Sequence, residues 1–320
     1  MQRILYTFSL AILICIVSTK FILAQNSYYL DSQNGKDCND GLSEYSAWKS
    51  HSKVESINLQ PGDAVYFKRG SAWVGGIQID ASGTEGNPIV FTNYGSGELP
   101  KFSNPSWSDN TGNALRFNGD YLVADGLYFH DVPPPPKGGF LTVWSAGALR
   151  ILLGNKYWGP IGIQLGIGNQ EISYNTIRDF WVTEGHAWGG DGGAIEMDDG
   201  RNHKNNVYIH HNRTSDNYGF LEISWDYDIE HMEVWNLRVA FNLSSDYQSI
   251  GFLEAPLHDS YIDNNTFDRT RQLHYNSAME VQLGNPIVRN NLIILAGSYP
   301  YPSDENPSSS ESKWSSTKSN

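Results

Sequence analysis

Along the second half of the chain, a four-residue phrase recurs in which apolar and polar positions alternate. Ala194-Ile195-Glu196-Met197 returns as Phe220-Leu221-Glu222-Ile223, as Phe252-Leu253-Glu254-Ala255 and as Ala278-Met279-Glu280-Val281. An earlier copy, Gly162-Ile163-Gln164-Leu165, carries an amide in place of the acid. A period of two marks a strand with one buried face. Ile195, Leu221, Leu253 and Met279 are expected to point inward, and Glu196, Glu222, Glu254 and Glu280 to share the outer face. Stacked on neighbouring strands, the four carboxylates would form a solvent-facing ladder. Like charges directly opposite one another destabilise a sheet, so folding alone does not favour such a ladder.

A second phrase sets the period. Ile172-Ser173-Tyr174-Asn175-Thr176-Ile177 returns around Asn212, Asn242, Asn265 and Asn291, with successive asparagines 37, 30, 23 and 26 residues apart. Such spacings mark a solenoid with one supersecondary unit per repeat. Gln164 to Asn175, Glu254 to Asn265 and Glu280 to Asn291 are each 11 residues, and the two longer gaps imply loop insertions. Short strands joined by turns describe an all-β fold in which each coil buries its apolar face on the next. The inward asparagines suit turns, with amides hydrogen-bonding from coil to coil.

Three regions follow. Residues 1–24 read as a signal peptide, with Arg3 as the basic start, Ile4 to Thr19 as the apolar centre and Ala24 before the cut. The segment is short for a membrane span, and no other stretch could cross a bilayer. Residues 25–298 form the solenoid with an N-terminal cap, interrupted by the extended loop Pro133 to Gly139. Residues 299–320 are rich in Ser and Pro and are expected to be disordered. Without the leader Cys38 stands alone, so no internal disulfide can form. The net charge of −13 falls to −15 without Arg3 and Lys20, which argues against nucleic acid as a partner.

The stretch from Tyr28 to Ser50, with Pro61 to Gly70 and Gly83-Thr84-Glu85-Gly86-Asn87-Pro88-Ile89, resembles the opening of secreted right-handed parallel β-helix proteins. Many of these are bacterial polysaccharide lyases or glycoside hydrolases. The resemblance implies the fold and a polysaccharide or oligosaccharide substrate. It carries no catalytic residue, so the site is read from the residues themselves.

Adjacent strands lie about 4.8 Å apart, close to the ≈ 5–5.5 Å separation of the two carboxyls in retaining glycosidases. Members two coils apart would suit the ≈ 6.5–9.5 Å of inverting enzymes instead. Glu196 and Glu222 are the candidate catalytic residues, with Asp198, two residues from Glu196 on the same face, extending the cluster. Trp188 and Trp225, together with Trp181 and Trp235, could pack on sugar rings. Asp191, within the run Gly189 to Gly193, together with Glu254, His211 and Arg213, completes the candidate substrate contacts. Trp48 and Trp73 are assigned to core or cap packing.

No cofactor is expected. A calcium loop at Asp37, Asn39 and Asp40 is outweighed by a polar turn, since no bidentate Glu follows at the required position. The acidic face puts a hydrolase first. A lyase needs a base and a neutralising cation, for which Lys204, Arg213, Arg238 and Arg271 are the choices. A non-catalytic glycan-binding solenoid is the third reading.

Overall fold

The computed structural model describes residues 25–104, 113–130, 161–180, 193–197, 203–223, 232–246, 251–253, 255–269, 279–281 and 284–295. It is a right-handed parallel β-helix built on three sheets. Sheet I has nine strands, from Ser27–Leu30 to Ile287–Arg289; sheet II has eight, from Ala72–Val74 to Leu292–Leu295; sheet III has seven, from Ile77–Ile79 to Met279–Val281. Through the regular coils the chain passes from sheet III to sheet I, then sheet II, then back to sheet III one strand further on. A three-stranded ledge of Lys204–Asn205, Val234–Trp235 and Leu257–His258 lies between sheets III and I.

The period-two pattern produces this directly. Inward positions of sheet I, such as Val65, Phe91, Ala124, Ile172, Ile209, Val239 and Ile262, are all at most 2% exposed. In sheet II, Phe102 stacks on Phe129 at 5.4 Å, and Phe67 meets Phe102 edge-on. Trp48 and Trp73 are buried as expected, and their indole N–H groups donate to Asn39 O and Lys49 O.

The corner between sheets I and II is invariant, with two residues between the strands in every coil from Leu122–Asp125 onward. The first of the two has positive φ in Tyr174, His211, Phe241, Asn264 and Asn290 (54–57°). The second is the asparagine of the repeat. Each Oδ1 in Asn212, Asn242, Asn265 and Asn291 accepts from the backbone N–H and the amide of the asparagine one coil earlier, at 2.9–3.1 Å. Each Nδ2 donates to a carbonyl of the preceding coil, as Asn212 does to Ile172 O. Asn212 matches a glycosylation sequon but is 1% exposed, as its ladder position requires.

A second polar column at the exit of sheet II had no clear repeat signal. Asn217 accepts from Phe180 N and donates to Asp246, whose other oxygen takes Thr214 and Ser244 hydroxyls at 2.6 and 2.5 Å.

In the cap, burial alone would raise the Asp31 carboxyl. The Lys68 ammonium at 2.6 Å and the N–H groups of Asn34 and Gln33 outweigh it and bring it down to about 2. A depressed carboxylate stabilises the fold above its unfolded value, near 4, and loses that contribution as pH falls toward 2. Asp31→Asn is expected to lower the melting temperature at pH 7 and to leave it nearly unchanged at pH 2. Equal melting of both proteins at pH 7 would contradict this role.

Candidate active site

Sheet III separates from the other two in how the chain enters and leaves it. Segments 131–160, 181–192 and 247–250 lead from sheet II into sheet III, and 198–202 and 224–231 lead from it toward the ledge. All lie outside the described residues. In a solenoid, length variation confined to one side commonly marks the binding face. The turn from sheet I to sheet II, by contrast, keeps two residues in every coil from Leu122–Asp125 onward.

On the outer face of sheet III the register runs Gln78, Arg116, Gln164, Glu196, Glu222, Phe252, Glu280. This corrects the expected ladder. The position opposite Glu222, expected for the glutamate of the next phrase, is taken by Phe252, with Leu253 opposite Ile223. The phrase has slipped by two residues. A one-residue slip would have inverted the strand, but a two-residue slip keeps every side chain on its face. Leu253 and Ala255 are both fully buried, so the alternation is satisfied in either alignment. The true spacing from Phe252 to Asn265 is 13 residues rather than 11. The unbroken carboxylate run is thus a pair, Glu196 and Glu222, which limits the like-charge repulsion.

The pair is not fully solvent-facing. Glu196 is 4% exposed, whereas Glu222 is half-buried. Gln164, on the strand before Glu196, is 7% exposed, and its Oε1 accepts from Asn113 Nδ2 at 2.5 Å. Gly193 makes room for Glu196, since a Cβ there would stand 3.0 Å from its Oε1 and 3.3 Å from its Cγ. The glycine run before Glu196 therefore ends against the carboxylate itself. Arg116 lies two strands from Glu196, with its Nε donating to Asn118 Oδ1 at 2.8 Å. Asn118 in turn donates to Asp80 at 2.7 Å. Leu115-Arg116-Phe117 and Ile77-Gln78-Ile79 are earlier copies of the same phrase, hidden by the replacement of the acid.

The remaining candidates divide. Trp188, Asp191, Asp198, Trp225 and Glu254, along with Trp181 and Arg271, lie outside the described residues. His211 and Arg213 are not brought to the carboxylate pair. His211 sits at the corner between sheets I and II, opposite sheet III, stacked between Tyr174 (4.8 Å) and Phe241 (5.1 Å). Arg213 is exposed in sheet II between Thr176 and Leu243. Lys204 is not an available cation, being fully buried with its ammonium on Gly166 O. Arg238 is exposed over the Tyr261 ring at 3.9 Å. Asp37 caps a turn by accepting from Lys49 N, Ser50 N and Ser50 Oγ. Among the described residues no group of three or more His, Cys, Asp or Glu is placed to hold a metal ion. Nor, among the described residues, is any helix long and apolar enough to cross a membrane.

No protein-family model matches the chain. A curated protein, the lacto-N-biosidase of Bifidobacterium longum subsp. longum, is 38% identical over 79 residues. That match spans 23% of this chain and only 5% of the relative's length. Among solved structures, the alginate lyase from Paenibacillus sp. str. FPU-7 superposes with a TM-score of 0.52 at 16% identity. It covers 74% of this chain and 70% of that one, and shares the fold. The GH136 lacto-N-biosidase from Eubacterium ramulus gives 0.44 at 13% identity, covering 84% and 68%.

Proposed function

We propose that this protein is a carbohydrate-active enzyme, a glycoside hydrolase that cleaves a polysaccharide or oligosaccharide with Glu196 and Glu222. The supporting observation is the in-register pair on adjacent strands of sheet III, with one member buried and the other half-exposed. Strand spacing near 4.8 Å suits the retaining geometry. Burial and a neighbouring carboxylate both favour the protonated form of a carboxyl, so the more buried Glu196 is assigned as general acid. Glu222 is assigned as nucleophile.

Glu222 attacks the anomeric carbon while the bond to the leaving sugar oxygen breaks and Glu196 gives that oxygen its proton. Glu196 then takes a proton from water, whose oxygen displaces Glu222 and restores both groups. The leader-like residues 1–24 make export the accompanying expectation.

Arg116 favours one alternative. A cation in the same outer row could neutralise a uronate carboxylate, as a lyase acting by β-elimination requires. Incubating the purified protein with alginate, pectate, rhamnogalacturonan and mucin glycans, and reading both new reducing ends and ultraviolet absorbance of unsaturated ends, separates the two. New reducing ends without absorbance are expected. Absorbance growing in step with cleavage would establish the lyase instead.

A further inference from the structure

The ledge between sheets III and I carries an arrangement that the carboxylate pair does not use. Its inner row, Lys204, Val234 and Leu257, is at most 1% exposed. Its outer row is Asn205, Trp235 and His258. Trp235 is 42% exposed, yet its orientation is fixed at two points. One ring face stacks on His258 at 4.1 Å and 19°, and Nε1 donates to Glu233 Oε2 at 3.2 Å. The Glu233 backbone N–H is itself held by His203 Nδ1 at 3.0 Å. His258 Nε2 is buried and has no hydrogen-bond partner among the described residues; Glu233 Oε2 stands 3.7 Å away.

A lone surface aromatic needs no explanation, but this indole is locked by its neighbours while its apolar body stays in water. A pinned ring loses little freedom on binding. Polar groups follow it in the chain. Asn236 donates to Asn206 Oδ1 at 2.9 Å and accepts from Arg238 Nε at 3.0 Å, with Arg238 lying over Tyr261. An exposed indole followed in the chain by amides and a guanidinium suits a pyranose ring, which offers an apolar face and a rim of hydroxyls.

We propose that the Trp235 ledge is a sugar-binding subsite that holds the glycan chain away from the point of cleavage. This rests on the carbohydrate reading above. The two places are within reach of one chain, since His258 follows Phe252 by six residues, which limits their separation to about 20 Å. Phe252 is itself the strand neighbour of Glu222.

The test is native affinity electrophoresis of the full chain carrying Glu222→Gln, which removes turnover, through gels containing alginate, polygalacturonate, rhamnogalacturonan or mucin. Adding Trp235→Ala is expected to weaken retardation in the retarding gel by about 5-fold or more. Trp235→Phe, which keeps a ring, is expected to retain most of the binding. Unchanged retardation of Trp235→Ala would overturn the subsite and leave the catalytic reading standing. Equal losses in the Ala and Phe proteins, accompanied by a lowered melting temperature, would show a structural indole and also overturn it. No retardation in any gel, with no cleavage of any of these polymers by the wild type, would overturn the subsite and the proposed function together.

Discussion

Glu196→Gln and Glu222→Gln are each expected to lower turnover by two orders of magnitude or more while the fold and substrate binding persist. Positioned proton transfer alone contributes ≈ 10²–10⁴-fold, and loss of the nucleophile removes the covalent route altogether. The amide is nearly isosteric with the acid and leaves no possibility of like-charge repulsion within the pair, so stability should hold or rise slightly. The two residues act as a unit, so the double substitution should cost little more than either single one. Glu280→Gln is the internal control. Phe252 separates Glu280 from Glu222 by register, and activity within a few-fold of wild type is expected. Full activity in both single variants, measured on the polymer the wild type cleaves, would remove the pair from the mechanism.

The largest effect on stability is expected at the centre of the asparagine column. Asn242 Oδ1 accepts from Asn212 N and Nδ2, and Asn242 Nδ2 donates to Ile209 O, Ala240 O and Asn265 Oδ1. Asn242→Ala strands several of these buried groups, each worth ≈ 1–3 kcal/mol when unsatisfied. A loss of about 3 kcal/mol or more in urea unfolding is expected, a large share of the 5–15 kcal/mol typical of folded domains. Asn291 lies in the last coil described and is half-buried. Asn291→Ala should therefore lose roughly half as much. Equal losses at the two positions, or under about 1 kcal/mol at Asn242, would show that the column does not hold the coils together.

These two predictions rest on features that differed in how readable they were. The asparagine column was plain in the sequence because its place in the coil is fixed by a two-residue corner that never changes length. The strand phrase around Glu196 was equally plain, and Gln164, Glu196 and Glu222 fell into the expected register. On the next strand Phe252 holds that position instead, because period-two alternation is blind to a shift of two residues. Arg116 is hidden in the sequence because its copy of the phrase lacks the acid that makes the others alike. Lys204 read as a surface cation, but its aliphatic stem fills the inner row of the ledge and its ammonium finds a carbonyl. His211 read as a candidate sugar contact, whereas coil-to-coil ring stacking at a left-handed corner accounts for its place. Asp246 was invisible, since its partners Thr214, Ser244 and Asn217 come from different coils or lie on both sides of a turn. Pattern in a sequence reveals what repeats; it does not reveal which departures from the repeat meet in space.

The central claim is that the outer row of sheet III makes and breaks the glycosidic bond through Glu222. Covalent trapping examines it most directly. The wild-type protein would be treated with the 2-deoxy-2-fluoro glycoside of the sugar it releases, digested, and its peptides mapped by mass. The glycosyl label is expected on Glu222 and to be lost in Glu222→Gln. A label on a carboxylate outside the Glu196–Glu222 pair, or none with a product of inverted anomeric configuration, would contradict the account.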